Sequence, residues 1–127
     1  MIREGKFMSS VLLFNISDPE KIKLLQILSI RLNFACRVIS PEYQGCTVRD
    51  LLDQRFYTRP AGKCFHDEML VMDGLDHPDL NFLLNELIRT GHPIRLKAVV
   101  TPTNQHWTAA MLHAQLVAED RTVNKKH

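Results

Sequence analysis

Val38–Leu52 reads VISPEYQGCTVRDLL, and Val99–His113, at a constant offset of 61 positions, reads VVTPTNQHWTAAMLH. Val38 and Val99, Pro41 and Pro102, Gln44 and Gln105, Thr47 and Thr108, and Leu51 and Leu112 coincide. Upstream the offset falls to 58, where VLLFNISDPEKI from Val11 faces MLVMDGLDHPDL from Met69 and sets Asp18 opposite Asp76. Two related segments of α/β chain share the Val and Leu enrichment whatever their origin. The Pro, Gln and Thr coincidences at one offset favour an internal duplication, and loops absorb the change of offset at little cost.

Each half reads as strand, helix, strand, helix. Val11–Ile16 is a short apolar run, the pattern of a strand buried on both faces. Asp18 and Pro19 open a helix, because the carboxylate caps free amides and proline at the first helical position loses no needed donor. Its stripe of Ile22, Leu25, Leu28 and Leu32 is widened by Leu24, Ile27 and Ile30, so the helix is expected to be mostly covered. Ala35–Ser40 is the second strand; Thr47 then caps a helix reaching about Arg55. In the second half Met69–Asp73 is a strand, and Asp76 and Pro78 start a helix with Leu80, Leu83, Leu84, Leu87 and Ile88 on one face. Gly91 and Pro93 end it. Ile94–Val100 is the fourth strand, and Thr108 or Asn104 caps a last helix reaching about Glu119.

Strand–helix alternation implies parallel pairing. The first and third strands are apolar on both faces and suit the centre, whereas Arg37, Arg95 and Lys97 suit exposed edges. The expected fold is a single α/β domain with a four-stranded, mainly parallel sheet of order 2-1-3-4 and helices on both faces. Residues 11–56 form the first βαβα repeat, 57–67 a connector, 68–119 the second repeat and 120–127 a flexible tail. The repeats are expected to be related by an axis along the strands, with a crevice between the C-terminal ends of strands one and three.

The 127 residues, 45% hydrophobic and 24% charged, fit one domain. A formal charge of +2 argues against a nucleic-acid partner, and no apolar run approaches the length of a membrane span. The opening MIREGKFMSS lacks the apolar stretch of a secretory signal, and Cys36, Cys46 and Cys64 have neither a paired number nor metal spacing, so a cytoplasmic protein with reduced thiols is expected. Cys64, His66, Asp67 and Glu68 cluster in the connector, but ligands so close in one loop need distant partners to close a metal shell. His106 and His113 lie two helical turns apart, too far for one ion. Arg49, Arg55, Arg59 and Lys63 beside Phe56 and Tyr57 have the composition of a single-strand nucleic-acid site, yet the flanking carboxylates favour a solvated loop. Neither a metal, a cofactor nor a catalytic set is expected.

At the expected crevice stand Asn15, Asp73 and His77, near two helix N-termini. Their plain reading is that of strand ends and helix starts, as any such fold displays. Asp73 with Thr101 resembles the phosphoacceptor and switch pair of response-regulator receivers, but the acidic pair after the first strand and the lysine after a fifth are missing, so magnesium-assisted phosphoryl transfer lacks its ligands. The most distinctive stretch is KAVVTPTNQHWT, Lys97–Thr108. It resembles the Thr-Pro-x-Asn-x-x-Trp-Thr signature of a small bacterial family catalogued only as a domain of unknown function. The match rests on Lys97, Ala98, Thr101, Pro102, Asn104, Trp107, Thr108 and Leu112, and by extension on the half from about Met69. That kinship implies no activity. In the first half Tyr43 stands at the position of Asn104 and Cys46 at that of Trp107.

The leading expectation is a non-enzymatic binding or regulatory module, homodimeric or bound to a protein partner, because the last helix carries Ala109, Ala110, Met111, Leu112, Ala114, Leu116, Val117 and Ala118. The alternative is a small-ligand sensor at the C-terminal edge of the sheet, with Thr101, Thr103, Asn104 and His106 as polar contacts and Trp107 beside them. An enzyme, with His77 or Asp73 as acid or base, stands third.

Overall fold

The computed structural model describes residues 9–58 and 64–125. Residues 1–8 and the connector positions Arg59, Pro60, Gly62 and Lys63 lie outside them. The chain runs β1 (Ser10–Phe14), α1 (Pro19–Leu32), β2 (Ala35–Ile39), a 3-10 turn, α2 (Val48–Leu52), β3 (Met69–Asp73), α3 (His77–Arg89), β4 (Leu96–Val99), a second 3-10 turn and α4 (Ala109–Lys125). The four strands form one sheet of order β2-β1-β3-β4.

The helix starts follow from local chemistry. Asp18 accepts from the Glu20 amide and Asp76 from that of Asp79, each satisfying a donor that has no partner within its helix. Thr47 and Thr108 do the same for Asp50 and Met111. Two ends differ from expectation. α2 stops at Leu52, whereas α4 continues to Lys125, through Asp120, whose carboxylate lies 3.3 Å from the Arg95 guanidinium.

The pairing requires a larger correction. β1 is parallel to β2 and β3 to β4, but β1 and β3 are antiparallel, with Ser10 opposite Asp73 and Phe14 opposite Met69. The sheet is therefore mixed rather than mainly parallel, and an axis along the strands cannot relate its two halves. An apolar strand buried on both faces carries no mark of its direction, so composition could not decide between the two pairings. The short α2 fits the antiparallel pairing. Five helical residues rise only about 7 Å, too little to carry the chain back along the strands. Phe65 and Asp67 instead stay at the C-terminal end of β1, where Asn15 Nδ2 donates to both their carbonyls at 3.1 and 3.0 Å.

Each face of the sheet buries one core. Val11, Leu13, Leu70 and Met72 pack with Leu25 and Leu28 of α1 and Leu83 and Leu87 of α3. Leu12, Phe14, Met69 and Val71 pack with Val48, Leu51 and Leu52 of α2, Phe65 of the connector, and Ala109 and Leu112 of α4. α1 is covered less than its broad stripe suggests, with Ile27 and Ile30 exposed. Because Val11 and Met69 lie on opposite faces, the offset of 58 that aligns the helix caps cannot hold in the central strands.

Candidate functional site

The antiparallel pairing removes the expected crevice. Asn15 follows one end of β1 and Asp73 stands at the other, roughly 16 Å away along the strand. His77 begins α3 at the Asp73 end and is exposed. Asn15, with a left-handed φ of 60°, spends its amide on the connector.

Thr101 and Asn104 are brought together, by each other. The Thr101 amide donates to Asn104 Oδ1 at 2.8 Å, the Asn104 amide to Thr101 Oγ1 at 3.0 Å, and Asn104 Nδ2 to the Val99 carbonyl at 3.1 Å. Two side chains thus close the turn that leaves β4. Trp107 is half-buried and packs on the core beneath α2 and α4, while its carbonyl accepts from the Val48 amide at 2.9 Å. Thr103 and His106 are exposed on the same turn. In this turn Thr101, Asn104 and Trp107 direct the chain from strand to helix.

A cavity lies elsewhere, between the connector and α4. It has a volume of 630 Å³ and is lined by Cys64, Phe65, His66 and Asp67 on one side and by Ala110, His113, Ala114, Val117, Ala118 and Arg121 on the other. The connector wall is held from three directions. The buried Gln44 receives the Phe65 amide on Oε1 and donates Nε2 to the Phe65 carbonyl, both at 3.0 Å. Asn15 grips the carbonyls of Phe65 and Asp67, and Lys21 Nζ reaches Glu68 at 2.7 Å. Across the groove His113 Nε2 lies 2.8 Å from Asp67 Oδ2, and its ring stacks on Phe65 at 4.2 Å with 8° between planes. Phe65 in turn meets Phe14 at 5.8 Å, so the sheet, connector and helix are joined in one stack.

Chemically, the groove offers an aromatic floor, a small-residue helix face, a carboxylate at one end and the Arg121 guanidinium about 12 Å further along the helix. Among the described residues no group of three or more His, Cys, Asp and Glu side chains is placed to hold a metal ion. In the first half, the Tyr57 hydroxyl donates to Asp50 at 2.8 Å, and this bond, with partial burial, raises the phenol above its ordinary value. Burial raises the Cys36 thiol as well. Asp67 and His113 escaped the sequence reading as a pair because 46 positions separate them and neither lies in a motif. The only available hint was the seven-residue step from His106, which placed His113 on a helix.

Residues 68–123, from the entrance of β3 through most of α4, match a family model described as a domain of unknown function, DUF3783. The match covers the half for which such a kinship was expected and leaves β1 through α2 outside it. No curated protein and no solved structure matches the chain.

Proposed function

We propose that this protein is a non-enzymatic binding module that pairs with a second copy of itself through the groove between α4 and the connector. The single observation that carries the reading is the lining of that groove. Ala110, Ala114 and Ala118 recur every fourth residue and leave the helix backbone approachable, with Asp67 near one end and Arg121 near the other. A two-fold antiparallel copy of α4 sets each Arg121 against its partner's Asp67, the self-complementary contact that an isologous dimer needs. Light scattering after size exclusion at tens of micromolar tests it: a dimer is expected, with Ala114→Arg a monomer. A wild-type monomer removes self-association.

A second reading, a small-ligand sensor, draws support from the groove volume, which falls in the range of ligand pockets. Thermal-shift screening separates the two. A monomer stabilised by more than about 1 °C by a nucleotide, amino acid or phosphorylated metabolite supports the sensor. The resemblance of Lys97–Thr108 to the signature of a small bacterial family and the three free cysteines support placing the module in a bacterial cytoplasm. Duplication of one βαβα unit accounts for the matching element order, the paired caps Asp18/Asp76 and Thr47/Thr108, and the reciprocal bonds Val48 N to Trp107 O and Ala109 N to Cys46 O.

A further inference from the structure

β4 forms one edge of the sheet, and among the described residues no strand pairs with its outer side. The Val100 amide donates to the Met72 carbonyl at 2.9 Å. Bonding alternates along a parallel ladder, so Leu96, Ala98 and Val100 turn their backbone groups toward β3 while Lys97 and Val99 turn theirs outward. The side chains of Lys97 and Val99 stand opposite Leu70 and Met72, on the face that α3 covers. There the edge borders a cavity of 310 Å³ whose apolar lining includes Leu84, Leu87 and Ile88 of α3 and Ile94. Ile88 is 63% exposed and Val99 46%. The charged residues of the lining are Arg95, which Asp120 of α4 already pairs at 3.3 Å, and Lys97, which has no carboxylate partner among the described residues. Lys97 Nζ is held close to the strand by the carbonyls of Ile94 and Arg95.

A lysine on an edge strand also serves as a guard against aggregation. That role explains Lys97 but neither the apolar cavity nor the exposed Ile88. We infer that the β4 edge and this cavity dock an extended segment of an acidic partner protein. The segment adds a strand along Lys97–Val99, alternate apolar side chains cover Ile88 and Leu84, and a carboxylate meets Lys97. A second copy of this chain is the wrong occupant: β2 (ACRVI) and β4 (LKAV) contain no carboxylate, so pairing with either edge of another copy would leave Lys97 without an acidic partner. The site shares the Arg95–Asp120 pair with α4 but none of its lining with the groove between α4 and the connector.

Panning immobilised full-length protein against random dodecapeptides on phage, with counter-selection on Val99→Pro, tests the inference. Val99 points its amide away from β3, so proline there removes an outward donor and leaves the internal ladder whole; an unchanged melting temperature verifies the fold. Expected are enriched peptides in which apolar and acidic residues alternate, binding Lys97→Glu at least about tenfold more weakly than wild type. Enrichment of basic or unpatterned sequences, or equal binding to Val99→Pro, overturns the inference. So does a failure to enrich any sequence, and so does light scattering that shows self-pairing abolished by Val99→Pro.

Discussion

Ser40–Leu52 and Thr101–Leu112 leave their strands by the same path and serve opposite ends. In both, a 3-10 turn follows a Pro, a Thr caps the next helix, and the Cys46 amide bonds Tyr43 O as the Trp107 amide bonds Asn104 O. In the first, Gln44 turns inward and clamps the connector, Tyr43 stacks near Phe56 at 5.2 Å, and α2 ends after five residues under that cover. In the second, Gln105 stays near the surface and bonds Arg49 and the Pro102 carbonyl, Asn104 and Thr101 satisfy each other, and α4 runs for 17 residues. The first half uses this corner to finish its core and the second to extend a helix beyond it. A binding face is therefore to be sought where the halves diverge, along α4, rather than at the strand ends they share.

The sharpest way to break the comparison is to delete both glutamines. Gln44→Ala leaves the buried Phe65 amide unsatisfied and removes one of the two donors to the Phe65 carbonyl, which Asn15 still holds, and should cost about 1–3 kcal/mol in urea denaturation. Gln105→Ala touches surface bonds alone and should stay within about 0.5 kcal/mol of wild type. Equal losses would show that the two corners carry the same load. Loss of the clamp should also free the connector wall, read as faster amide exchange at Phe65.

What the sequence could reveal follows the same division. Local chemistry was legible: Asp18, Asp76, Thr47 and Thr108 cap the helices that their spacing indicates, and Met69–Asp73 is a strand end to end. The order of the strands was legible too, because Arg37 and Lys97 mark edges by their charge. Direction was not. Antiparallel pairing of β1 with β3 depends on how a polar connector returns, and that return is fixed by Gln44 and Asn15 reaching across 21 and 50 positions to Phe65. For the same reason the groove escaped notice, since its walls come from the connector and α4 and meet through Asp67 and His113. Asn15 and Thr101, considered as ligand contacts, are instead bonded within the chain, a use that their residue types suit equally well.

The next effect is smaller and tests how far the corners act together. Thr47 and Thr108 form an isolated antiparallel bridge, and each caps the helix that starts beside it. Thr47→Ala and Thr108→Ala should each cost about 1 kcal/mol. Because the Val48 amide bonds Trp107 O and the Ala109 amide bonds Cys46 O across the same junction, the double variant should depart from additivity by about 0.5 kcal/mol or more. Strict additivity would mean that the two halves meet there without supporting each other.

The smallest effect separates backbone from contact. α1 and α3 both close with an amide reaching back to the last turn, Phe34 to Ser29 O and His92 to Leu87 O, past a residue with left-handed φ: Asn33 at 57° and Gly91 at 80°. A methyl group at Gly91 would meet nothing within 4 Å, so the cost of Gly91→Ala is conformational alone, about 1 kcal/mol. Asn33→Gly relieves a side chain that tolerates the left-handed region but gains freedom in the unfolded chain, so it should change stability by no more than about 0.5 kcal/mol. If Gly91→Ala proves neutral, the end of α3 relaxes where that of α1 does not. The halves would then differ in rigidity at the helix that borders the β4 edge, as well as in what they bury.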